Sequence, residues 1–344
     1  METLEITALI KKAPTEAKQN KTNKLNYRNI GIILLIIFIF LLILNNIKLY
    51  IETKLLNKKI QILNTEKESF INDTNKCNKD KINLQKEREI FEKYKLEREI
   101  KFNRLLCPKE VIGKKKVLLG KPGDGAYVLL NDLSDIKIAY SFGISYIIYF
   151  DKALADKGIN VYMYDHTINQ LPYKNPKFHW KKIGITNESK KSDNMKTLID
   201  LLKENGHLKE KNMILKIEIK SNEWRVLKEL TQNILNQFKY IIMEFHFDKM
   251  SKKYDLYLEC LTKLAKDHQI FHIHCCNCGK LVDLVGDNPI CEIIEVSYIK
   301  REGNQFKKDE SIYPIKEFDF KDCPYKPSLN KEKNIMKFCD NFEY

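Results

Sequence analysis

Apolar and polar positions fall into three regimes along this chain of 344 residues. From Ile30 to Leu44 no polar side chain interrupts, and Ile47, Leu49, Tyr50 and Ile51 carry the apolar run past Asn45, Asn46 and Lys48. About 20 apolar residues cross the ~30 Å hydrocarbon layer of a bilayer, so residues 30–51 are predicted as a transmembrane helix behind a basic tail, residues 1–29. Leu44, Asn45 and Asn46 offer no small-residue cleavage site, which favours an uncleaved anchor over a signal peptide. Residues 52–106 are densely charged, with one stripe at seven-residue spacing: Leu56, Leu63, Phe70, Cys77, Leu84, Phe91, Arg98 and Leu105. One stripe is half of a coiled-coil seam, so it predicts a helical stalk, leaves a coiled coil and a homo-oligomer through it open, and has a solvated charged linker as the alternative.

Beyond Pro108 the period changes. Short β-branched or aromatic runs alternate with helical stretches. The predicted strands are Ile136–Phe142, Val161–Tyr164, Phe178–Ile183, Met213–Ile219, Tyr240–Phe245, Gln269–His274 and Ile293–Ile299, and the predicted helices Tyr149–Lys157, Asn194–Asn205, Glu223–Gln237 and Tyr254–Asp267. Alternation of this kind predicts an α/β fold, a doubly wound, seven-strand, mostly parallel sheet of the Rossmann-like type over residues 107–302, followed by an extension, residues 303–344. Such sheets bind ligands at the carboxyl ends of their strands.

Composition adds limits. With 43% hydrophobic and 10% aromatic residues the chain is too rich in core formers to be wholly disordered, and 12 glycines and 9 prolines exclude collagen-like sequence. The net charge of +14 is spread among interleaved acids without a recognition motif, so no nucleic-acid partner is assigned. Basic residues flanking the apolar run, Lys11, Lys12, Lys18, Lys21, Lys24 and Arg28 before it against Lys48, Lys54, Lys58 and Lys59 after it, place the C-terminal domain on the lumenal or extracytoplasmic side of a single-pass membrane protein. The cysteine number, 9, leaves the redox compartment open.

Two groupings carry chemistry. Ser141-Phe142-Gly143-Ile144-Ser145 follows the first strand of the predicted sheet and precedes a helix, and the next strand ends at Asp165. A glycine there lets backbone approach a nucleoside, and an acid at the second strand end can hold ribose hydroxyls; a plain turn with a solvated Asp is the alternative. His272, His274, Cys275, Cys276 and Cys278 invite a zinc reading, but no second pair at standard spacing completes a ligand set, and no metal is assigned.

Seven segments occur in a familiar order: Asp124-Gly125-Ala126-Tyr127-Val128, Tyr140-Ser141-Phe142-Gly143-Ile144, Phe150 through Asp156, Ile214-Leu215-Lys216-Ile217-Glu218-Ile219, Glu223-Trp224, Glu244-Phe245-His246 and His272 through Cys278. Over roughly Leu106 to Arg301 the chain resembles FkbM-type methyltransferases, and more narrowly their membrane-anchored, methyltransferase-like branch. The resemblance implies S-adenosylmethionine as cofactor and methyl transfer to an oxygen of a sugar or other small-molecule or glycan acceptor. It matches Gly143 to the cofactor turn, Asp165 to the ribose-binding acid and Glu218 to the acid ending the fourth strand.

The departures are specific. Where the family pattern reads F-G-I-G-G-D, Ser145, Tyr146 and Ile147 follow Ile144; where it reads D-I-E-G-A-E-W, the chain has Lys220, Ser221 and Asn222 before Glu223 and Trp224. Bulk and positive charge thus enter the cofactor region. Methyl transfer to an unactivated hydroxyl needs a base or a metal. Asp124, Glu218, Glu244, His246 and His274 are the candidates near predicted strand ends, with His246 taken as the base and Glu218 as orienting substrate or cofactor. A buried network bonded to backbone is the alternative for Glu244 and His246. The other reading is a catalytically inactive module on the same fold, a membrane-tethered binding or scaffolding protein.

Overall fold

The computed structural model describes residues 30, 32–33, 58–59, 61, 76–220, 222–248, 253–282 and 289–329. Contacts divide the chain into two units, Met1–Lys86 and Glu87–Tyr344. A helix, α1 (Lys76–Leu105), leads into the second. There follow β1 (Lys109–Val111), β2 (Lys116–Leu119), β3 (Tyr127–Leu130), β4 (Ile138–Phe142), α2 (Tyr149–Asp156), β5 (Asn160–Tyr164), β6 (Phe178–Lys181), β7 (Gly184–Ile185), β8 (Met195–Lys196), α3 (Leu198–Glu204) and β9 (Met213–Ile217). The chain continues through α4 (Glu223–Glu229), α5 (Gln232–Leu235), β10 (Phe238–His246), α6 (Tyr254–Asp267), β11 (His268–Cys275), β12 (Leu281–Val282), β13 (Ile290–Cys291), β14 (Ile293–Lys300) and β15 (Phe306–Lys308).

Seven strands form one sheet in the order β11-β14-β10-β9-β4-β5-β6. The pairs among β10, β9, β4, β5 and β6 are parallel, whereas β14 runs antiparallel to both β10 and β11. The sheet is therefore mixed, which corrects the doubly wound, Rossmann-like arrangement expected from the alternation. Parallel neighbours need long crossovers, usually helical. No helix among the described residues lies between β11 and β14, and the chain passes from β5 to β6 with none. The helical content is also smaller than expected, because the run Glu223–Gln237 breaks at Leu230, whose backbone is extended, and restarts where the Thr231 side chain caps Ile234 N.

The membrane expectation is corrected as well. No helix among the described residues is long and apolar enough to cross a membrane, and residues 30–51 lie almost wholly outside those described, so a single-pass membrane protein with a transmembrane helix and an extracytoplasmic domain is not supported. The helix expected as a stalk runs into the second unit at its end. Phe102 and Leu106 are buried in the core of the second unit, Arg98 pairs with Asp255 of α6 at 2.5 Å, and Arg98 O accepts from Tyr254 Oη at 2.6 Å. The last turns of α1 are thus docked onto α6. Phe91 of the seven-residue stripe is exposed.

Alternation assigns each sheet face its layer. Tyr140, Phe142, Leu215, Ile217, Ile241, Met243, Phe245 and Val296 belong to one core cluster with residues of α4 and α6, where Trp224 stacks on Phe245 at 4.4 Å between ring centroids. Ala139, Val161, Met163, Ile214, Tyr240, Ile242 and Ile299 belong to a second cluster with α2 and β3. On this second face the apolar positions give way, toward the carboxyl ends of the parallel strands, to a polar row: Ser141, Lys216, Glu244, His246, Glu295 and His274.

Candidate functional site

Strand register builds that row. Lys216 of β9 lies opposite Ser141 of β4 and Ile242 of β10. Two residues beyond Ile242, Glu244 faces Glu295 of β14, and Glu295 in turn faces His274 of β11. Cross-strand partners share a sheet face, so four titratable groups are lined up by backbone pairing alone. The Lys216 side chain is almost fully buried; its ammonium lies 2.7 Å from Glu218 Oε2, 3.4 Å from Gly143 O and 5.5 Å from the Tyr127 ring centroid. Tyr127 Oη donates to Glu218 Oε2 at 2.8 Å. Burial opposes the charge on Lys216, but Glu218 and the buried Asp151 outweigh it and raise its pKa.

His246 sits between two carboxylates. Glu223, fully buried on α4, lies 3.3 Å from its Nδ1 and accepts from its backbone N at 2.8 Å, while Glu244 Oε1 lies 3.3 Å from Nε2. Trp224 Nε1 donates to His246 O at 2.8 Å, so the α4 start clamps the β10 end. Burial pulls the His246 pKa down, but Glu223 and Glu244 overcome this and raise it. For Glu244, burial and the neighbouring Glu218 push the pKa up to about 8, against the lowering effect of His246 and Lys216. An imidazole so held can take up or deliver a proton at Nε2.

The predicted cofactor residues are brought together at neighbouring strand ends, with roles already filled. Gly143 has a φ of +73°, and a Cβ there would stand 1.7 Å from Glu218 O. The glycine is required because β9 presses its backbone against the turn. Asp165 follows β5 and is 5% exposed; its Oδ2 accepts from Ser145 N at 2.8 Å and its Oδ1 from Thr167 N at 2.7 Å and Thr167 Oγ1 at 2.6 Å. Burial raises its pKa, yet the bonds from Thr167 and Ser145 prevail and hold it below the ordinary aspartate value. Ser145 and Lys220, both at departures from the family pattern, have φ of +47°.

The zinc reading loses its thiolates, because Cys275 pairs with Cys291 and Cys278 with Cys323 in disulfides. Cys276 is a free, buried thiol whose pKa burial pushes up. His272 and His274 instead meet two aspartates of the segment after β15. His272 Nε2 lies 2.9 Å from Asp319 Oδ1, and His274 Nε2 lies 2.9 Å from Asp322 Oδ2. Sequence reasoning singled out neither aspartate, nor Lys216, nor Glu295. The one charge inside Met213-Ile214-Leu215-Lys216-Ile217 and the acids of Asp319-Phe320-Lys321-Asp322 beside Cys323 were the signals available.

No family model and no curated protein matches the chain. Among solved structures, a protein described as a hemolysin of Streptococcus thermophilus matches at 10% identity and a TM-score of 0.28, over 52% of this chain and 72% of that one. A likeness that slight carries no argument about fold or function. None of the comparisons supports the methyltransferase resemblance, which rests on the chain's own residues.

Proposed function

We propose that the chain transfers a methyl group from S-adenosylmethionine to the hydroxyl of a small-molecule or glycan acceptor, with His246 as the base. The observation that supports this reading is the Glu223–His246–Glu244 arrangement at the strand ends where Gly143, Asp165 and Glu218 also converge. Bound S-adenosylmethionine would supply an electrophilic methyl. Glu223 fixes the imidazole from its Nδ1 side and stabilises the imidazolium that forms as Nε2 takes the acceptor proton and the hydroxyl oxygen becomes nucleophilic. Glu218, held by Lys216 and Tyr127, orients the substrate side of the site.

The test is a methyl-transfer assay with labelled S-adenosylmethionine and a panel of sugars and other alcohols. Turnover is expected, and His246→Gln should lower kcat by about 10²–10⁴ while cofactor affinity stays within twofold. Unchanged kcat in His246→Gln would remove the base assignment.

A second reading is a non-catalytic binding module, favoured by Asp165. Three bonds from the chain itself already engage its carboxylate, leaving little capacity for a ribose diol. On this reading no S-adenosylmethionine is taken up.

A further inference from the structure

We propose that His274, Glu295 and Asp322 form a binding site for one divalent transition-metal ion of the zinc or manganese class. The site does not depend on the methyl-transfer reading. His274 and Glu295 are Cα partners on β11 and β14, so their side chains share a face, and Asp322 reaches them from the segment after β15. One ligand atom from each, an imidazole nitrogen and two carboxylate oxygens, lies within 4.8 Å of the other two. The same residues line a cavity of about 10 Å³, together with Tyr127, Ser297 and Phe320. That is room for one water-sized sphere. Donors bonded at about 2.1 Å to a tetrahedral ion stand roughly 3.4 Å apart, so side-chain rotations of the order of 1 Å complete the set.

Glu295 is the first reason to look for a cation here. It is 7% exposed, lines the cavity, and has no hydrogen-bond or ion-pair partner among the described residues. A carboxylate in that position is strongly disfavoured unless a cation joins it. The second reason is the support behind His274. Its Nδ1 lies 3.2 Å from Asp319 Oδ1, which also meets His272 Nε2, so Nε2 is turned toward Asp322. The Asp319 contact is an ion pair without an aligned hydrogen bond, and it sets a carboxylate on the far side of the ring from Asp322, where metal-bound histidines carry one. Asp322 is anchored in turn. The Cys278–Cys323 disulfide holds its neighbour, and Asn277 donates to Cys323 O at 2.8 Å and accepts from Cys323 N at 2.9 Å. One imidazole with two carboxylates suits zinc or manganese better than magnesium, which prefers all-oxygen octahedra and keeps its waters.

The rival occupants are protons, one on His274, making the imidazolium itself the cation among the acids, and one on Glu295, making its carboxyl neutral. Calorimetric titration of the oxidised full chain, stripped with EDTA, separates metal from protons. The expected result is one equivalent of Zn²⁺ or Mn²⁺ bound and no saturable Mg²⁺ uptake, with affinity rising as the pH is raised and the metal displaces the Nε2 proton. Glu295→Gln should weaken zinc binding by at least about tenfold. The metal-free variant should melt no lower than the metal-free wild type, since the amide replaces a carboxyl of the same shape that has no partner to lose, and zinc should raise the melting temperature of the wild type alone. Asp322→Asn, on a disulfide-anchored segment, is the second variant should the first fail to fold, with the same expected loss. Absence of saturable binding at millimolar zinc, or equal affinity in wild type and both variants, would overturn the site.

Discussion

Glu244 and Glu295 face each other as Cα partners across the antiparallel β10–β14 pair, two carboxyls at adjoining positions on one buried sheet face. Burial first, and then neighbouring acids, push both pKa values up, that of Glu244 to about 8. Between the ordinary glutamate range and about pH 8 the folded chain holds protons that the unfolded chain has released. Stability is therefore full below the unfolded pKa and is lost as pH rises through the folded one, by up to about 1.4 kcal/mol per pH unit for one group. Melting curves from about pH 4.5 to 8.5 should show this decline. Glu244→Gln should flatten it, and an undiminished slope in that variant would show that Glu244 does not carry the effect.

Lys216 is the cation of the same face. Its loss leaves Glu218 and the buried Asp151 without their nearest positive charge. Removing one partner of a buried ion pair typically costs about 3–5 kcal/mol, so Lys216→Met should lower the unfolding free energy in urea by that order. The double variant Lys216→Met with Glu218→Gln is expected to recover part of it, and a loss below about 1 kcal/mol in the single variant would mean that the ammonium is dispensable.

Ser145 occupies the left-handed region at a position where the resembled family has glycine. A side chain there costs roughly 1–2 kcal/mol, part of which glycine gives back through its freer unfolded chain. Ser145→Gly keeps the backbone N–H that Asp165 accepts and should stabilise the fold by about 0.5–1 kcal/mol in urea melts. A destabilised variant would instead assign the serine side chain a supporting role.

The disulfide between Cys278 and Cys323 spans 45 residues and ties the segment bearing Asp319 and Asp322 to the turn after β11. By loop length it should contribute about 4 kcal/mol, against about 3 for the 16-residue Cys275–Cys291 closure. Replacing both Cys278 and Cys323 with serine should therefore lower the melting temperature more than replacing Cys275 and Cys291. The opposite order would show that native packing, not chain closure, dominates.

Much of the sheet was legible in the residues. The runs at 136–142, 161–164, 178–183, 213–219, 240–245, 269–274 and 293–299 each overlap one of the seven strands, because fully buried strands need apolar or β-branched residues whatever their partners. Direction was not legible. Ile293–Lys300 reads like any buried strand, and only the helix-free return from β11 sets it antiparallel. Glu244 and His274 are legible as candidates near strand ends, but Glu295 and the alignment of the three depend on that direction and register and are not. Asp319 and Asp322 were assigned to an extension beyond the domain because their surroundings show no period; tertiary disulfide pairing brings them to β11. Gly143 was noticed for a cofactor, whereas its glycine is demanded by Glu218 O in the chain itself.

The central claim is that this domain uses S-adenosylmethionine, and direct titration of the full chain with that compound, followed by calorimetry, tests it most plainly. The account expects saturable heat at one equivalent, with affinity unchanged within about twofold in His246→Gln, which alters the base and not the cofactor contacts. Absence of heat up to millimolar S-adenosylmethionine, in a chain shown by its melting curve to be folded, would contradict it and leave the non-catalytic module.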